Sequence, residues 1–293
     1  MRDRGWAWVA AAAVLALLAG CAGSDPAPRR PAPRLTAEIK QERRDQVLLR
    51  FEVAVTNRAH EPITVESIDL RVPGYGGAGV QVKNEPLPAG QRVNLPTPYG
   101  EVSCSADGTA SVGRPRVVVR VHTESDPTSR REVLRPSDPD GLLTRVASST
   151  CTSERLLREV ELSFDPDWRL VGSGNDRYLR GTLDARLTID EPRDVTQLRG
   201  TVIFDLLPDP PGRADHPPLA HLTPERPTAA IPIRLTRARC TGHARGEVKK
   251  PYEFLVFLAA PGGEELAVTP PVTDAARVAF ERVCHLGVHL SGS

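Results

Sequence analysis

The sequence VLLRFEVAVTN at residues 47–57 decides the fold class, because its apolar and polar side chains largely alternate. Such alternation is typical of a β-strand with one buried face. A turn that contains Pro62 follows, and ITVESIDLRV at residues 63–72 alternates in the same way. These two stretches predict consecutive strands, joined by a turn, at the start of a β-rich body.

A similar order returns in the second half of the chain. Alternating runs at residues 183–189 and 198–207 flank a turn at residues 190–193. In each half a loop comes next, rich in glycine at residues 73–88 and rich in proline at residues 208–227. Several short strands separated by turn signals predict a β-sandwich in each half.

Four cysteines beyond the N-terminal region have similar surroundings in pairs. Aligning Cys104 with Cys240 places a proline at the same distance downstream in both halves, and an apolar run follows each proline. Four cysteines allow three pairings. The repeat favours disulfides Cys104–Cys151 and Cys240–Cys284 within an internally duplicated chain, while the other two pairings remain open.

Each second cysteine is predicted to end a short helix. In the second half Thr273 can cap the helix, Asp274 favours its N-terminus, and apolar residues recur at helical spacing up to Cys284. In the first half Asp138 is the predicted cap, and Pro139 occupies the first helical position, which favours proline.

The strand pattern of both halves resembles that of immunoglobulin-like domains. The resemblance implies a mainly β fold with two tandem immunoglobulin-like β-sandwich domains, each with one short helix and one disulfide. One feature departs from it, because immunoglobulin domains have a tryptophan between their paired cysteines. The tryptophans here are Trp6, Trp8 and Trp168, and none lies between the cysteines of a predicted pair.

The N-terminal region has the order of a bacterial export signal. Two arginines precede an uncharged run at residues 6–18, too short to span a bilayer, and LAGC follows at residues 18–21. This tetrapeptide resembles the lipobox of bacterial lipoproteins. The resemblance implies cleavage before Cys21, lipidation of the Cys21 thiol and anchoring at the outer face of the plasma membrane.

These observations predict the domain organisation. We expect a signal peptide at residues 1–20, a lipid-attachment and proline-rich linker at 21–34, and sandwich domains at 35–157 and 158–293. A content of 40% apolar and 26% charged residues indicates a folded body. The net charge of +1 gives no indication of nucleic-acid binding. The preference for arginine over lysine, with abundant alanine, proline and valine, resembles actinobacterial secreted proteins.

No catalytic, cofactor-binding or metal-ligating residue is predicted. Asp215, His216 and His221 could hold a transition metal, but the adjacent prolines favour a solvated loop. Paired carboxylates such as those at residues 138 and 140 lie in turns, where they cap and hydrogen-bond locally.

Aromatic content of 4% is too low for a base- or sugar-stacking platform. Tyr75 and Tyr99 are the aromatic residues in loops with a predicted contact role.

The sequence therefore favours a non-enzymatic binding or scaffolding module of the cell envelope. Its expected partners are the membrane, through lipid on Cys21, and an envelope protein that the sequence does not identify. The alternative is a lipoprotein that captures a solute or metal for a transporter. An envelope hydrolase is less favoured, because the linear sequence contains no nucleophile and base in a catalytic pattern.

Overall fold

The computed structural model describes residues 34–172, 176–210 and 218–285. The predicted fold class is confirmed: the described chain is mainly β, built from antiparallel sheets with a few helices and two disulfides. The predicted signal peptide, Cys21 and most of the linker lie outside the described residues.

The first half of the chain forms seven strands and two helices. In chain order they are β1 (Leu35–Lys40), α1 (Arg43–Val47), β2 (Arg50–Asn57), β3 (Ile63–Arg71), β4 (Gln81–Leu87), β5 (Arg92–Pro98), β6 (Arg116–Thr123), β7 (Asp126–Leu134) and α2 (Leu142–Glu159). The strands make a three-stranded sheet in the order β1-β2-β5 and a four-stranded sheet in the order β4-β3-β6-β7.

The second half adds nine strands and two helices. They are β8 (Val160–Phe164), β9 (Arg169–Val171), β10 (Tyr178–Leu187), β11 (Arg193–Arg199), β12 (Phe204–Pro208), β13 (Ala220–Leu222), β14 (Thr228–Arg237), α3 (Gly242–Glu247), β15 (Leu255–Ala259), β16 (Leu266–Val268) and α4 (Asp274–His285). One sheet has the order β12-β14-β10-β8, with β9 also paired to β10, and the other has the order β13-β11-β15-β16.

The strand order of the first half returns in the second. When β9 and β12 are set aside, β8, β10 and β14 take the places of β1, β2 and β5. The sheet β13-β11-β15-β16 then corresponds to β4-β3-β6-β7. Each set of strands ends in a helix that carries the second cysteine of its half. This shared topology agrees with the internal duplication that the cysteine spacing predicts.

Alternating side chains from facing sheets fill two hydrophobic cores. Phe51, Val53 and Val55 on β2 are fully buried in the first core. In the second core Phe254 and Phe280 pack edge to face, with ring centroids 5.5 Å apart. Aromatic pairs in this geometry add stability beyond the area they bury.

Helix α2 belongs to both cores. Leu143 and Ala147 lie in the first core, and Leu156 lies in the second. Residues from Leu35 onward group as one compact unit. The division of this unit into domains at residues 157 and 158 stays a prediction.

Both predicted disulfides are present. Cys104 is bonded to Cys151, and Cys240 to Cys284, with Cα atoms 5.3 Å apart in each pair. The first bond joins the loop after β5 to helix α2. The second joins the loop after β14, which corresponds to β5, to helix α4. The two bonds therefore occupy equivalent positions in the two halves, as the alignment of Cys104 with Cys240 predicted.

The helices differ in extent from their predictions. Gly141, not Asp138, occupies the N-cap position of α2, and Pro139 lies before the helix. The Asp138 carboxylate still caps the first turn, since it accepts hydrogen bonds from the backbone of Leu142 (2.8 Å) and Leu143 (3.1 Å). The helix begins at Leu142, however, and continues beyond Cys151 to Glu159. Its second part is retained because Leu156 packs into the other core, which outweighs the weak helix propensity of the residues around Cys151.

Some strand predictions were wrong. The run at residues 198–207 is broken at Gly200, where a Cβ would lie 2.1 Å from the backbone oxygen of Phe204. Thr201 N donates to that same oxygen at 2.7 Å, so a tight turn separates β11 from β12. The strand predicted at residues 47–57 begins only at Arg50, because Val47 is the last residue of helix α1. The two predicted loops contain the short strands β4 and β13.

Gly181 provides a test of the second core. A Cβ on this residue of β10 would lie 2.6 Å from the Trp168 ring. We expect Gly181→Ala to lower the free energy of unfolding by about 1–3 kcal/mol, the usual cost of overpacking, as measured by urea denaturation. Gly246→Ala in helix α3 is the matched control, because nothing lies within 4 Å of its added methyl. Equal stability of the two variants would contradict this account of the packing.

Candidate functional site

A concave surface lies between the two halves of the chain. Helix α1 of the first half forms one wall, and the β11–β12 turn and residues 247–253 of the second half form the other. The groove has a volume of about 920 Å³. We call it the inter-half groove. Its position depends on how helix α1 is held against β2.

A local sequence pattern begins helix α1. Glu42 precedes the helix, and its backbone N–H donates to Oδ2 of Asp45 at 2.9 Å. A carboxylate three residues after the capping position is a recognised helix-start signal. Asp45 is completely buried although it is charged, so its second oxygen also needs a partner.

Two arginines supply the partners of the buried carboxylates. Arg50 Nε donates to Asp45 Oδ1 at 2.7 Å, and an Arg44 terminal nitrogen donates to Glu52 Oε1 at 3.1 Å. Glu52 is 1% exposed. Arg44 Nε also lies 3.3 Å from Glu42 Oε2. These ion pairs tie helix α1 to β2 and to Glu42, the residue before the helix.

The same three carboxylates have a spacing that could suit a metal ion. One oxygen from each of Glu42, Asp45 and Glu52 lies within 4.8 Å of the others. Each carboxylate, however, has an arginine within hydrogen-bonding or ion-pairing distance. The arrangement is therefore an ion-pair network that offsets buried charge, and we assign no metal to it.

The lining of the groove combines valines with charged side chains. Val47, Val202 and Val248 contribute apolar surface, and Val202 is 53% exposed. Arg43 and Lys249 also line the groove, and neither has a carboxylate partner within the described ranges. A surface with an apolar centre and charged margins is typical of protein-binding sites.

Several other charged groups of the groove have local partners. Lys250 Nζ donates to Glu253 at 2.6 Å, and the Arg199 guanidinium lies over the Phe257 ring, 4.9 Å from its centroid. Thr201 Oγ1 accepts hydrogen bonds from the backbone of the β11–β12 turn. The described lining includes no histidine and no cysteine. The groove thus offers binding groups but no nucleophile paired with a base.

Outside the groove, one serine and one histidine share a carboxylate. Ser129 Oγ donates to Glu66 Oε2 at 2.6 Å, and His122 Nδ1 lies 2.7 Å from Glu66 Oε1. These hydrogen bonds, that from Ser129 first, hold the pKa of Glu66 below its usual value. Because the carboxylate lies between the two side chains, His122 is not placed to activate Ser129 as a catalytic base would be.

Of the three residues weighed as a metal site, His221 alone lies within the described ranges. His221 lies on β13, and its Nδ1 is 2.6 Å from Asp194 Oδ1 on β11. Asp215 and His216 lie outside the described residues. The metal-capture alternative therefore stays a prediction.

The carboxylates at residues 138 and 165 have the local roles that the sequence predicted. Asp138 caps helix α2, as described above. Asp165 Oδ1 accepts a hydrogen bond from Asp167 N at 2.7 Å. Both carboxylates therefore hold backbone N–H groups in place.

The prediction that Tyr75 and Tyr99 contact a partner was wrong. They are only 9% and 6% exposed, and both pack against Phe51 in the first core. Tyr75 also donates a hydrogen bond to the backbone oxygen of Leu143 at 2.6 Å. Burial raises the pKa of both phenols. The glycine-rich loop carries Tyr75 into the core, and Tyr99 directly follows β5. No local pattern in the sequence indicates the burial of either ring.

No helix within the described ranges combines the length and apolar character that crossing a membrane requires.

The wall of the groove can be tested through Asp45. We expect Asp45→Asn to lower the free energy of unfolding by about 3 kcal/mol, because it removes the charge that compensates the partly buried Arg50. Urea denaturation followed by circular dichroism measures the change. Glu42→Gln is the control, since its exposed ion pair contributes below about 1 kcal/mol. An Asp45→Asn variant as stable as this control would contradict the proposed role of the network.

Comparisons with known proteins do not assign a family. No protein-family model matches the chain, and no curated protein sequence matches it. A crystal structure of the YadV chaperone is similar over 80% of this chain and 96% of that chain, with 12% identity and a TM-score of 0.20. The BSP domain of a biofilm associated protein is similar over 82% of this chain and 58% of that chain, with 7% identity and a TM-score of 0.19. At these TM-scores the similarities carry no argument about function.

Proposed function

We propose that this chain is a non-enzymatic binding or scaffolding module of the cell envelope, held at the outer face of the plasma membrane by lipid on Cys21. The observation that carries the binding role is the inter-half groove, with its exposed Val202 and its margin of Arg43 and Lys249. The LAGC sequence at residues 18–21 supports the tether.

The two disulfides support an extracytoplasmic location. Disulfides persist in oxidising compartments and are rare where thiols are kept reduced. Each bond here fixes a terminal helix to the body of its half. Two stapled sandwiches form a stable support on which loops and grooves keep their shape outside the cell.

The groove suits a protein partner because its apolar and charged surfaces are close together. Valine side chains from both walls can exclude water at the centre of a contact, where most binding energy arises. Arg43 and Lys249 lie on opposite walls and can pair with acidic groups of the partner. Charge pairing at the margin contributes mainly to specificity and to the rate of association.

A lipid tether also limits which partners are accessible. Two or more acyl chains hold a protein stably at a bilayer, since each buried CH₂ contributes about 0.8 kcal/mol. The partner is then a protein of the same membrane or of the adjacent wall. The tether raises the local concentration of the module, so an interaction of modest affinity is sufficient.

The tether is tested by the substitution Cys21→Ala in the full-length chain. We expect wild-type protein to sediment with membranes and to partition into detergent, and we expect at least a tenfold loss of the membrane-bound fraction for Cys21→Ala. The double variant Cys104→Ser/Cys151→Ser is the control, because it changes two cysteines but leaves the lipid site intact. Membrane retention of Cys21→Ala would overturn the anchoring proposal.

Site-specific photocross-linking tests the groove. A cross-linking amino acid in place of Val202 should capture one envelope protein in intact cells, and mass spectrometry should identify the same protein in repeats. Adding Arg43→Glu and Lys249→Glu should reduce that product at least fivefold. The control probe replaces Val278, which is 62% exposed on helix α4. If the products at Val202 and Val278 are the same, the groove is not the binding surface.

A further inference from the structure

Three arginines lie in one row across neighbouring strands of the second half. Arg180 on β10 is the register partner of Arg234 on β14, and on its other side it is the partner of Arg169 on β9. Directly opposed residues on antiparallel strands project from the same face, with Cβ atoms about 4.5–5.5 Å apart. We call Arg169, Arg180 and Arg234 the arginine row.

The row lies on the outer face of its sheet. Leu179 and Gly181 on either side of Arg180 are buried, as are the residues on either side of Arg234. Since side chains alternate between faces, the arginines point away from the core. Like charges that face each other across strands are destabilising, so the row needs compensation by anionic groups.

Within the described ranges this charge is compensated only in part. Arg180 Nε donates to Asp209 Oδ2 at 2.5 Å. Arg234 Nε is buried without a hydrogen-bond acceptor among the described residues. Arg169 has no ion-pair partner among the described residues either. Asp205 projects from the same face of β12, but it forms no ion pair with the row in the described structure.

An aromatic ring completes the surface. The Cζ atoms of Arg180 and Arg234 lie 5.9 Å and 5.8 Å from the centroid of the Tyr178 ring, and Arg180 also donates to the Tyr178 hydroxyl at 3.1 Å. The ring thus holds two guanidinium groups near each other despite their charge. It orders them on the sheet, which lowers the entropy cost of binding a ligand.

We propose that the arginine row binds a phosphate group. A guanidinium offers paired N–H donors that match two oxygens of a phosphate, and charge-assisted hydrogen bonds of this kind are strong. Adjacent arginines in the row can contact one tetrahedral anion, whose charge removes their mutual repulsion. This inference rests on the proposed binding function and names a ligand class for a second surface of the module.

Two sources can supply such a group at a membrane surface: a soluble phosphate monoester and the headgroup of an anionic lipid. Calorimetry with inorganic phosphate and glycerol 3-phosphate measures the first. Co-sedimentation of the full-length Cys21→Ala protein with phosphatidylglycerol vesicles, compared with phosphatidylcholine vesicles, measures the second. Binding in the soluble arm assigns a free phosphate ligand, and binding only to phosphatidylglycerol assigns the headgroup. Absence of binding in both arms overturns the proposal.

Variants test whether the arginine row is the site. We expect Arg234→Gln to weaken phosphate binding at least tenfold, and Arg234→Lys to weaken it less, because the charge remains while the paired donors are lost. Arg169→Gln on the exposed strand β9 provides the same test if position 234 affects folding. Arg186→Gln is the control, since Arg186 is on β10 but pairs with Glu161. Equal affinity in Arg169→Gln, Arg234→Gln and the control would also overturn the proposal.

The result of the phosphate-binding measurements does not depend on the result of the cross-linking experiment at the inter-half groove. Arg43, Val202 and Lys249 are not members of the arginine row, so their substitution should leave phosphate affinity within twofold of wild type. Conversely, Arg234→Gln should leave the cross-link at Val202 unchanged. If the probe at Val202 captures no envelope protein but the chain still binds phosphate, only the proposed protein-binding function is contradicted.

Discussion

The relation between the two halves depends on helix α2, which contributes side chains to both hydrophobic cores. Leu143 and Ala147 pack in the first core, and Leu156 packs in the second. Between them Cys151 is fully buried and bonded to Cys104. Near the end of the helix Glu159 accepts a hydrogen bond from Arg193 on β11 at 2.9 Å. One continuous helix therefore connects the two sandwiches, whose facing surfaces form the inter-half groove.

The wall of the inter-half groove and the arginine row differ in how far their charged side chains are paired. At the groove wall, buried Asp45 and Glu52 are matched by Arg50 and Arg44, and burial without these partners would cost several kcal/mol. On the outer sheet of the second half, the arginine row has a single carboxylate partner within the described ranges, Asp209. The first arrangement stabilises the fold, whereas the second leaves donors available to a ligand. This contrast, more than the number of arginines, marks the outer sheet as a binding surface.

Much of the fold could be predicted because it follows from local patterns. Strand β2 was expected from alternation around Phe51, and helix α4 from the cap at Thr273, whose Oγ1 accepts from Ala276 N at 3.2 Å. The predictions failed where packing decided the outcome. Residues 198–207 alternate like one strand, yet Gly200 permits a tight turn that no larger residue would fit. Tyr75 follows a glycine in a loop-like stretch, but the loop folds inward and its ring packs against Phe51.

The amino-acid sequence by itself determined the mainly β fold and the two equivalent halves, and it favoured the pairing of Cys104 with Cys151 and of Cys240 with Cys284 that the structure contains. These features depend on residue spacing along the chain, which the sequence displays directly. Only the tertiary structure decided that two carboxylates beside helix α1 are buried, and that Arg169, Arg180 and Arg234 share one row. Burial and strand register result from the packing of whole sheets, so residues far apart in sequence become neighbours without any local pattern to indicate it.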